Sequence, residues 1–408
     1  MTFWRPCPTR ANNPMAVIPY GRHQIDEDDI VAVAEVLRGG ALTAGPKAEE
    51  FEKAFAKKIG AKEAVVCSNG TAALHLAAMA EGIGPGDVAI VPTLTFLSTA
   101  NAVRMTGAEV LFADVDAETG LLTPETLKAA YGKAKGPVKA VLPVHLNGQC
   151  TNVAEIQLIA TSNGSAIISD CCHALGAEYH TGGRPGDGQF EDSACFSLHP
   201  VKSIAMGEGG MITTNDTTKA AHMRLLRSHD MKRDPSTWLA GESNFDLNGK
   251  PNPWVYEMHE LAYNYRAPDI LCALGLSQLH KLDKFVARRR EIAALYDGAL
   301  ASLGNVLKPV IRTAAAESAW HLYPVLIDFK SLAKDRAQLM RELLDKGVGT
   351  QVHYIPVSSQ PYYEKRYGSQ SFTGADKYYE RVLSLPIFPG MSDDNVFEVV
   401  SALKSVLG

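Results

Sequence analysis

The sequence predicts an α/β protein: a mostly parallel sheet in a large domain, residues 15–265, followed by a smaller α+β domain, residues 266–408. Three observations predict it. Between residues 63 and 214, short β-branched runs alternate with helical patterns, as in strands joined by crossover helices. The runs are apolar at successive positions, so the sheet they form is covered on both faces. After about residue 215 the alternation stops and a different order of elements takes over.

Strands are expected at 64–66, 88–91, 109–112, 140–142, 166–168 and 194–197, with a further one at 211–214. Helices are expected at 71–80, 98–105, 124–131 and 153–163, each long enough to cross back over the sheet. Beyond them come a helix at 216–228, a Pro/Gly/Asn/Trp-rich surface loop at 235–256 and a long helical region at 268–303. The smaller domain reads as a strand at 321–327, a helix at 332–346, a strand at 350–353 and terminal helices at 375–383 and 392–407. Ligands of parallel sheets bind beyond the carboxyl ends of the strands. Asn69-Gly70, Asp114, His145, Asp170 and His199 fall at such ends.

With 408 residues, 46% of them hydrophobic, the chain can build a large core. A net charge of −5 and a pI of about 6.2 provide no positive field for nucleic acid or an anionic membrane surface. Seven cysteines, an odd number in mostly apolar runs, read as free thiols in a reducing compartment. No run of 18 apolar residues occurs, and residues 1–14 lack an apolar signal core. A soluble, cytoplasmic protein is expected, with residues 1–14 as an extension ahead of Met15.

Three segments carry chemistry. Cys67-Ser68-Asn69-Gly70-Thr71-Ala72 is a strand, a polar turn and a helix start, where free N–H groups, the helix dipole and the Thr71 hydroxyl suit an anion; an N-capped helix without ligand is the plain alternative. Asp170 follows a strand and faces the same edge, or simply caps the next turn. Metal binding by the adjacent Cys171, Cys172 and His173 is discounted, since no second ligand pair stands at zinc spacing. Lys202, in Ser197-Leu198-His199-Pro200-Val201-Lys202, lies between two apolar strands in a glycine-containing connection. Desolvation there lowers an amine's pKa and makes it a nucleophile suited to Schiff-base chemistry. A phosphate seat, an aspartate after a strand and such a lysine together make the set that pyridoxal phosphate requires, with the aspartate pairing the ring nitrogen.

In these residues the chain resembles the DegT/DnrJ/EryC1/StrS family of sugar aminotransferases, from about Ile18 onward. The resemblance implies the fold of aspartate aminotransferase, a pyridoxal phosphate cofactor on Lys202 and a homodimer with active sites at the subunit interface. It implies Asp170 at the ring nitrogen, Thr71 and Ala72 at the phosphate, and Ser197, five residues before the lysine, among the cofactor-binding residues. Phe96 would stack on the ring and His173 would stand near its phenolic oxygen. Asn264 would reach the other protomer's phosphate. Longer runs, including residues 18–22, 226–229, 254–257 and 351–356, resemble the branch that makes pseudaminic acid. They imply L-glutamate as amino donor and a UDP-linked 4-keto-6-deoxy sugar as acceptor. The sequence departs from the family at Cys171-Cys172, Leu198, Ala205-Met206 and Asn147. Arg266 is either the carboxylate partner of glutamate or a support for the Asn264 loop. His353 and Tyr354 either line the sugar site or form a packed strand end. Related sugar 3-dehydrases carry His in place of the lysine, so Lys202 favours transamination. A dTDP- or GDP-linked substrate, amination at C3, and a non-catalytic cofactor-binding regulator stay open. A nicotinamide oxidoreductase lacks its glycine fingerprint here.

Overall fold

A computed structural model describes residues 17–304 and 306–407, so Cys7 and the expected extension at 1–14 lie outside the described residues. Two helices precede the sheet, α1 (Glu27–Arg38) and α2 (Pro46–Ile59); the sequence reading had not placed them. Next come β1 (Glu63–Cys67), α3 (Gly70–Ala80), β2 (Val88–Pro92), α4 (Leu97–Met105), β3 (Glu109–Ala113), α5 (Pro124–Tyr131), β4 (Ala140–Val141), α6 (Val153–Ser162) and β5 (Ala166–Asp170). A short β6 (Glu178–Tyr179) leads to β7 (Ser193–Ser197), β8 (Gly210–Thr214) and α7 (Thr217–Leu226).

The main sheet has seven strands in the order β1-β8-β7-β5-β4-β2-β3. It is parallel from β7 to β3, and β8 runs antiparallel between β1 and β7. Apolar residues cover both faces: α3, α4 and α7 close one with Leu74, Leu76 and Met223, while α2 and the start of α8 (Asp269–Leu300) close the other with Phe51, Phe55 and Leu282. A separate cluster under α5 and α6 covers β5, β4, β2 and β3 with Ile167, Val141, Ile90 and Ala113.

The 32-residue α8 spans two cores. Its first half packs with the main sheet, and its second half, from Ile292 to Leu300, packs with the smaller unit. That unit is an antiparallel sheet of β9 (Leu307–Pro309), β11 (Tyr323–Ile327) and β12 (Val382–Leu385), with α9 (Arg336–Asp345) and α12 (Asp393–Leu407) on its apolar face. The two-residue β10 (Ala316–Glu317) pairs with β6 and ties the units together. Helices α10 (Pro361–Tyr367) and α11 (Thr373–Arg381) complete the chain.

Two sequence expectations are corrected here. The helix expected at 375–383 ends at Arg381, because Val382-Leu383-Ser384-Leu385 is wholly buried and pairs along β11. The strand expected at 350–353 is only an isolated bridge, Gln351 to Ser384. Its next residues leave the sheet because the His353 ring turns back to the Ser384 hydroxyl, 2.8 Å away, and Tyr354 enters a cavity. The segment at 235–256 holds two single-turn 3-10 helices and is largely exposed, as a surface loop should be. Among the described residues Cys67, Cys150, Cys171, Cys172, Cys195 and Cys272 are free thiols, and no helix is long and apolar enough to cross a membrane.

Candidate active site

Strands β1, β5 and β7 run the same way and end at one edge, where Gly210 of β8 pairs with both Cys67 and Ser197. A cavity of about 890 Å³ opens off that edge, within the range of small-molecule sites. Thr71, Ala72, Phe96, Asp170, His173, Ser197, Lys202, His353 and Tyr354 all line it. Asn264 and Arg266 do not. Asn264 is exposed, its backbone bridging to Ser228, and Arg266 lines a second cavity of about 670 Å³ beside Glu52, Arg224 and Arg227.

The turn after β1 builds an anion seat. Asn69 caps α3, its side chain accepting from the Ala72 N–H at 2.8 Å. The positive end of α3 points into the cavity, and the Thr71 hydroxyl lies 2.8 Å from that of Ser98. Gly70 is required by close approach: a Cβ there would stand 2.9 Å from Ser197 Cβ.

Asp170 is held at both oxygens. The Thr99 hydroxyl donates to one at 2.7 Å and the Cys172 N–H to the other at 3.1 Å. Burial lowers the pKa of Lys202, which Cys172 and Asp170 partly oppose. A larger fraction of this amine is therefore neutral than of a solvated lysine.

His173 is oriented by the backbone. Its Nδ1 accepts from the Asn147 N–H at 3.3 Å, so Nε2 carries the proton and donates to the Tyr354 oxygen at 3.1 Å. The Tyr354 O–H is then free to donate into the cavity. Asn147 makes this contact from a left-handed conformation, φ 64°, which asparagine tolerates. The adjoining Gly148, φ 94°, lets the turn lie against Trp320 and His321, whose N–H groups would be 2.8 and 3.0 Å from a Cβ. Here is the structural use of the Asn147-Gly148 departure. The His321 ring packs tilted against that of His173, with centroids 4.3 Å apart. Burial, aided by the charge of Lys202, holds both rings well below the ordinary histidine pKa and pushes His353 down to about 3. The same burial raises the Tyr354 phenol, which stays protonated. Lys202 therefore faces three neutral imidazoles at neutral pH.

Phe96 stands at the mouth, 54% exposed, its ring 5.8 Å from that of Tyr354, with a face open to a planar ring. Sequence reasoning missed His321 and Thr99. His321 lies just before β11 and gave no signal; Thr99 is in the first turn of α4 while Thr95 precedes the helix, so no helical spacing pairs them.

The residues fit pyridoxal phosphate. The α3 start, Thr71, Ala72 and Ser197, which the missing side chain of Gly70 lets approach one another, would hold the phosphate. Asp170, Phe96 and His173 would hold the ring, and Lys202 the aldehyde carbon.

Comparison with known proteins agrees. The spore coat polysaccharide biosynthesis protein SpsC of Bacillus subtilis (strain 168) is 39% identical over 393 residues, covering 96% of this chain and 97% of that protein. Among solved structures, PseC of Helicobacter pylori, an aminotransferase involved in the biosynthesis of pseudoaminic acid, superposes with a TM-score of 0.85 at 27% identity, covering 96% of this chain and 99% of that one. A putative sugar aminotransferase, Spr1654 of Streptococcus pneumoniae in its PLP form, gives 0.84 at 25%, with 96% and 98% covered. The model of one family fits residues 23–404, leaving only the ends of the chain outside it, and this chain belongs to the DegT/DnrJ/EryC1/StrS aminotransferase family, whose cofactor is pyridoxal phosphate.

Proposed function

We propose that this enzyme moves an amino group from L-glutamate to the 4-keto group of a UDP-linked 6-deoxy sugar, in the biosynthesis of an amino sugar such as pseudaminic acid. The observation that carries the reading is the convergence of Lys202, Asp170 and the α3 anion seat on one cavity that also receives His353 and Tyr354 from the smaller unit. Bound pyridoxal phosphate supplies an electrophilic carbon for amine exchange and a ring that takes up electrons. The chain does the rest. Lys202, its pKa lowered by burial, accepts and returns protons. Asp170 would hold the ring nitrogen, and His173 orients the Tyr354 hydroxyl, which would donate toward the sugar. The likeness to PseC supports the sugar class.

Charge supports a homodimer with shared sites. Among the described residues, the acidic and basic side chains lining this cavity are Asp170, Glu208 and Lys202, with no arginine, yet a nucleotide sugar carries a pyrophosphate. Asn264 and Arg266, turned away from their own cavity, are placed in this reading to serve the cavity of a second copy. Arg266 would then supply positive charge, and glutamate's carboxylate would have no arginine from its own protomer. The free thiols fit a cytoplasmic enzyme.

The test is the visible absorbance of the enzyme with pyridoxal phosphate, before and after glutamate, beside Lys202→Ala. The wild-type band should bleach with glutamate and return on adding a UDP-4-keto-6-deoxy sugar, while the variant fails to cycle. Structural assignment of the product fixes the aminated carbon. Turnover of dTDP- or GDP-linked sugars alone would overturn the UDP assignment, and a band indifferent to glutamate would overturn the donor.

A further inference from the structure

We propose that Thr95 and Thr99 are positioning residues, forming a one-way hydroxyl chain from Thr95 through Thr99 to Asp170 that fixes the carboxylate against the cofactor's ring nitrogen. The inference rests on the family reading, since it presumes that cofactor.

The direction of the chain follows from donor counting. Thr95 Oγ1 and Thr99 Oγ1 lie 2.8 Å apart, a distance that lets either hydroxyl donate. Thr99 Oγ1 lies 2.7 Å from Asp170 Oδ2, and a carboxylate only accepts. The single Thr99 proton is therefore committed to Asp170. The backbone oxygen of Phe96 is a poorer competitor at 3.4 Å. Thr95 is left as donor to Thr99. No water intrudes to reverse the order, since Thr95 is 1% exposed and Thr99 fully buried.

The helix start reinforces the arrangement. Phe96 caps α4 without a side-chain bond, so Thr99 sits in the first turn, where unpaired N–H groups and the helix dipole favour a neighbouring negative charge. With the Cys172 N–H on Oδ1, each Asp170 oxygen accepts one bond and the plane of the carboxylate is set from two sides. The Thr99 contact joins segments 71 residues apart. Burial makes such a bond expensive to lose, because a carboxylate deprived of its donor finds no water to replace it.

Binding distinguishes this role from packing. The affinity of each variant is measured for pyridoxal phosphate and for an analogue with C–H in place of the ring nitrogen, and the ratio is compared. Wild type should prefer the natural cofactor. Thr99→Val, which keeps the shape, should lose about ten-fold of that preference, the equivalent of one buried hydrogen bond to a charged group. Thr99→Ser should keep it, and Thr95→Val should lose less than Thr99→Val because Thr99 still donates. A Thr99→Val enzyme with the full wild-type ratio, or a Thr95→Val enzyme more impaired than Thr99→Val, overturns the chain. If Thr99→Val does not fold, Thr95→Val and Thr99→Ser decide: a reduced ratio in the first with a retained ratio in the second supports the chain, and any other pattern overturns it. A wild type that binds neither compound overturns the cofactor reading itself, a result separable from the others.

Discussion

Replacing Gly70 by alanine tests whether the anion seat depends on a close approach or only on a helix start. Gly70 opens α3, and its backbone is not in the left-handed region, so alanine meets no φ penalty and gains up to about 1 kcal/mol of helix propensity. Against this, the new Cβ would lie 2.9 Å from Ser197 Cβ, 3.3 Å from Ser197 Oγ and 3.4 Å from Cys172 Sγ. Forcing a methyl into a packed site costs about 1–3 kcal/mol, so a net loss of about 1–2 kcal/mol is expected. Relief comes only by shifting Ser197 or the first turn of α3, the groups assigned to the phosphate. Cofactor affinity should therefore fall about ten-fold, corresponding to roughly 1.4 kcal/mol, and the thermal midpoint of the cofactor-free protein should fall modestly. Gly84→Ala is the control: a Cβ there meets nothing within 4 Å, and its effect should stay within about 0.5 kcal/mol. Absorbance titration with pyridoxal phosphate and thermal unfolding of both variants give the two numbers. A Gly70→Ala enzyme that binds and melts like wild type would refute the close-approach argument.

Acid should destabilise the fold through its buried histidines. Burial pushes His353 down to about 3 and His145 to about 4, while an unfolded histidine titrates near 6.5. The unfolded chain takes protons that the folded one refuses, so stability falls below about pH 6.5 and levels off only near pH 3–4, each ring removing about 2 kcal/mol by pH 5; equal denaturant midpoints at pH 7 and pH 5 would contradict this. Glu191 acts in the opposite direction, because burial pushes its carboxyl up to about 7 while one oxygen accepts from the Gly186 N–H at 2.6 Å and the other has no partner. The folded state here holds a proton that the unfolded state releases, so stability falls as pH rises from about 4.5 to 7. Glu191→Gln should melt higher than wild type at pH 8, by up to roughly 3 kcal/mol, with little difference at pH 5; a gain of the same size at both would point to packing instead.

The parts of the site that were legible in the sequence lie where a strand ends. Asp170 and Ser197 follow apolar runs, and the sheet carries both to one edge whatever the details of its connections. Short apolar runs were less informative: Val382-Leu383-Ser384-Leu385 suits a helix or a strand, and only its pairing with β11 decides. Residues whose role depends on distant segments meeting were not legible. Thr99 matters because β5 brings Asp170 to it, and His321 because the Asn147-Gly148 turn brings His173. The neighbours of Tyr265 show how sequence proximity misleads. Tyr263 and Tyr265 stack on each other at 4.9 Å and meet His75 edge-on, and Tyr265 lines the cavity; Asn264 between them lies exposed outside it. In an extended segment successive side chains point to opposite sides.

The charges of the cavity assign different physics to its two ends. At the inner end the cofactor's phosphate would meet amide and hydroxyl dipoles at the start of α3, fixed by the fold before any ligand arrives and poorly screened once water is excluded. Among the described residues no arginine lines this end, and the imidazoles around Lys202 are neutral. A phosphate entering the seat therefore breaks no ion pair. Further positive side chains there would compete for Asp170, whose proposed role leaves its carboxylate to the ring nitrogen. At the outer end, around Phe96 and Glu208, the cavity is open to solvent. Dipoles are screened there, and the pyrophosphate of the proposed nucleotide-sugar substrate would need full charges, for which Arg266 of a second copy is the proposed source. Separating the two kinds of anion site keeps the cofactor's grip independent of whether substrate is present, as a cofactor retained through both halves of an amino transfer requires.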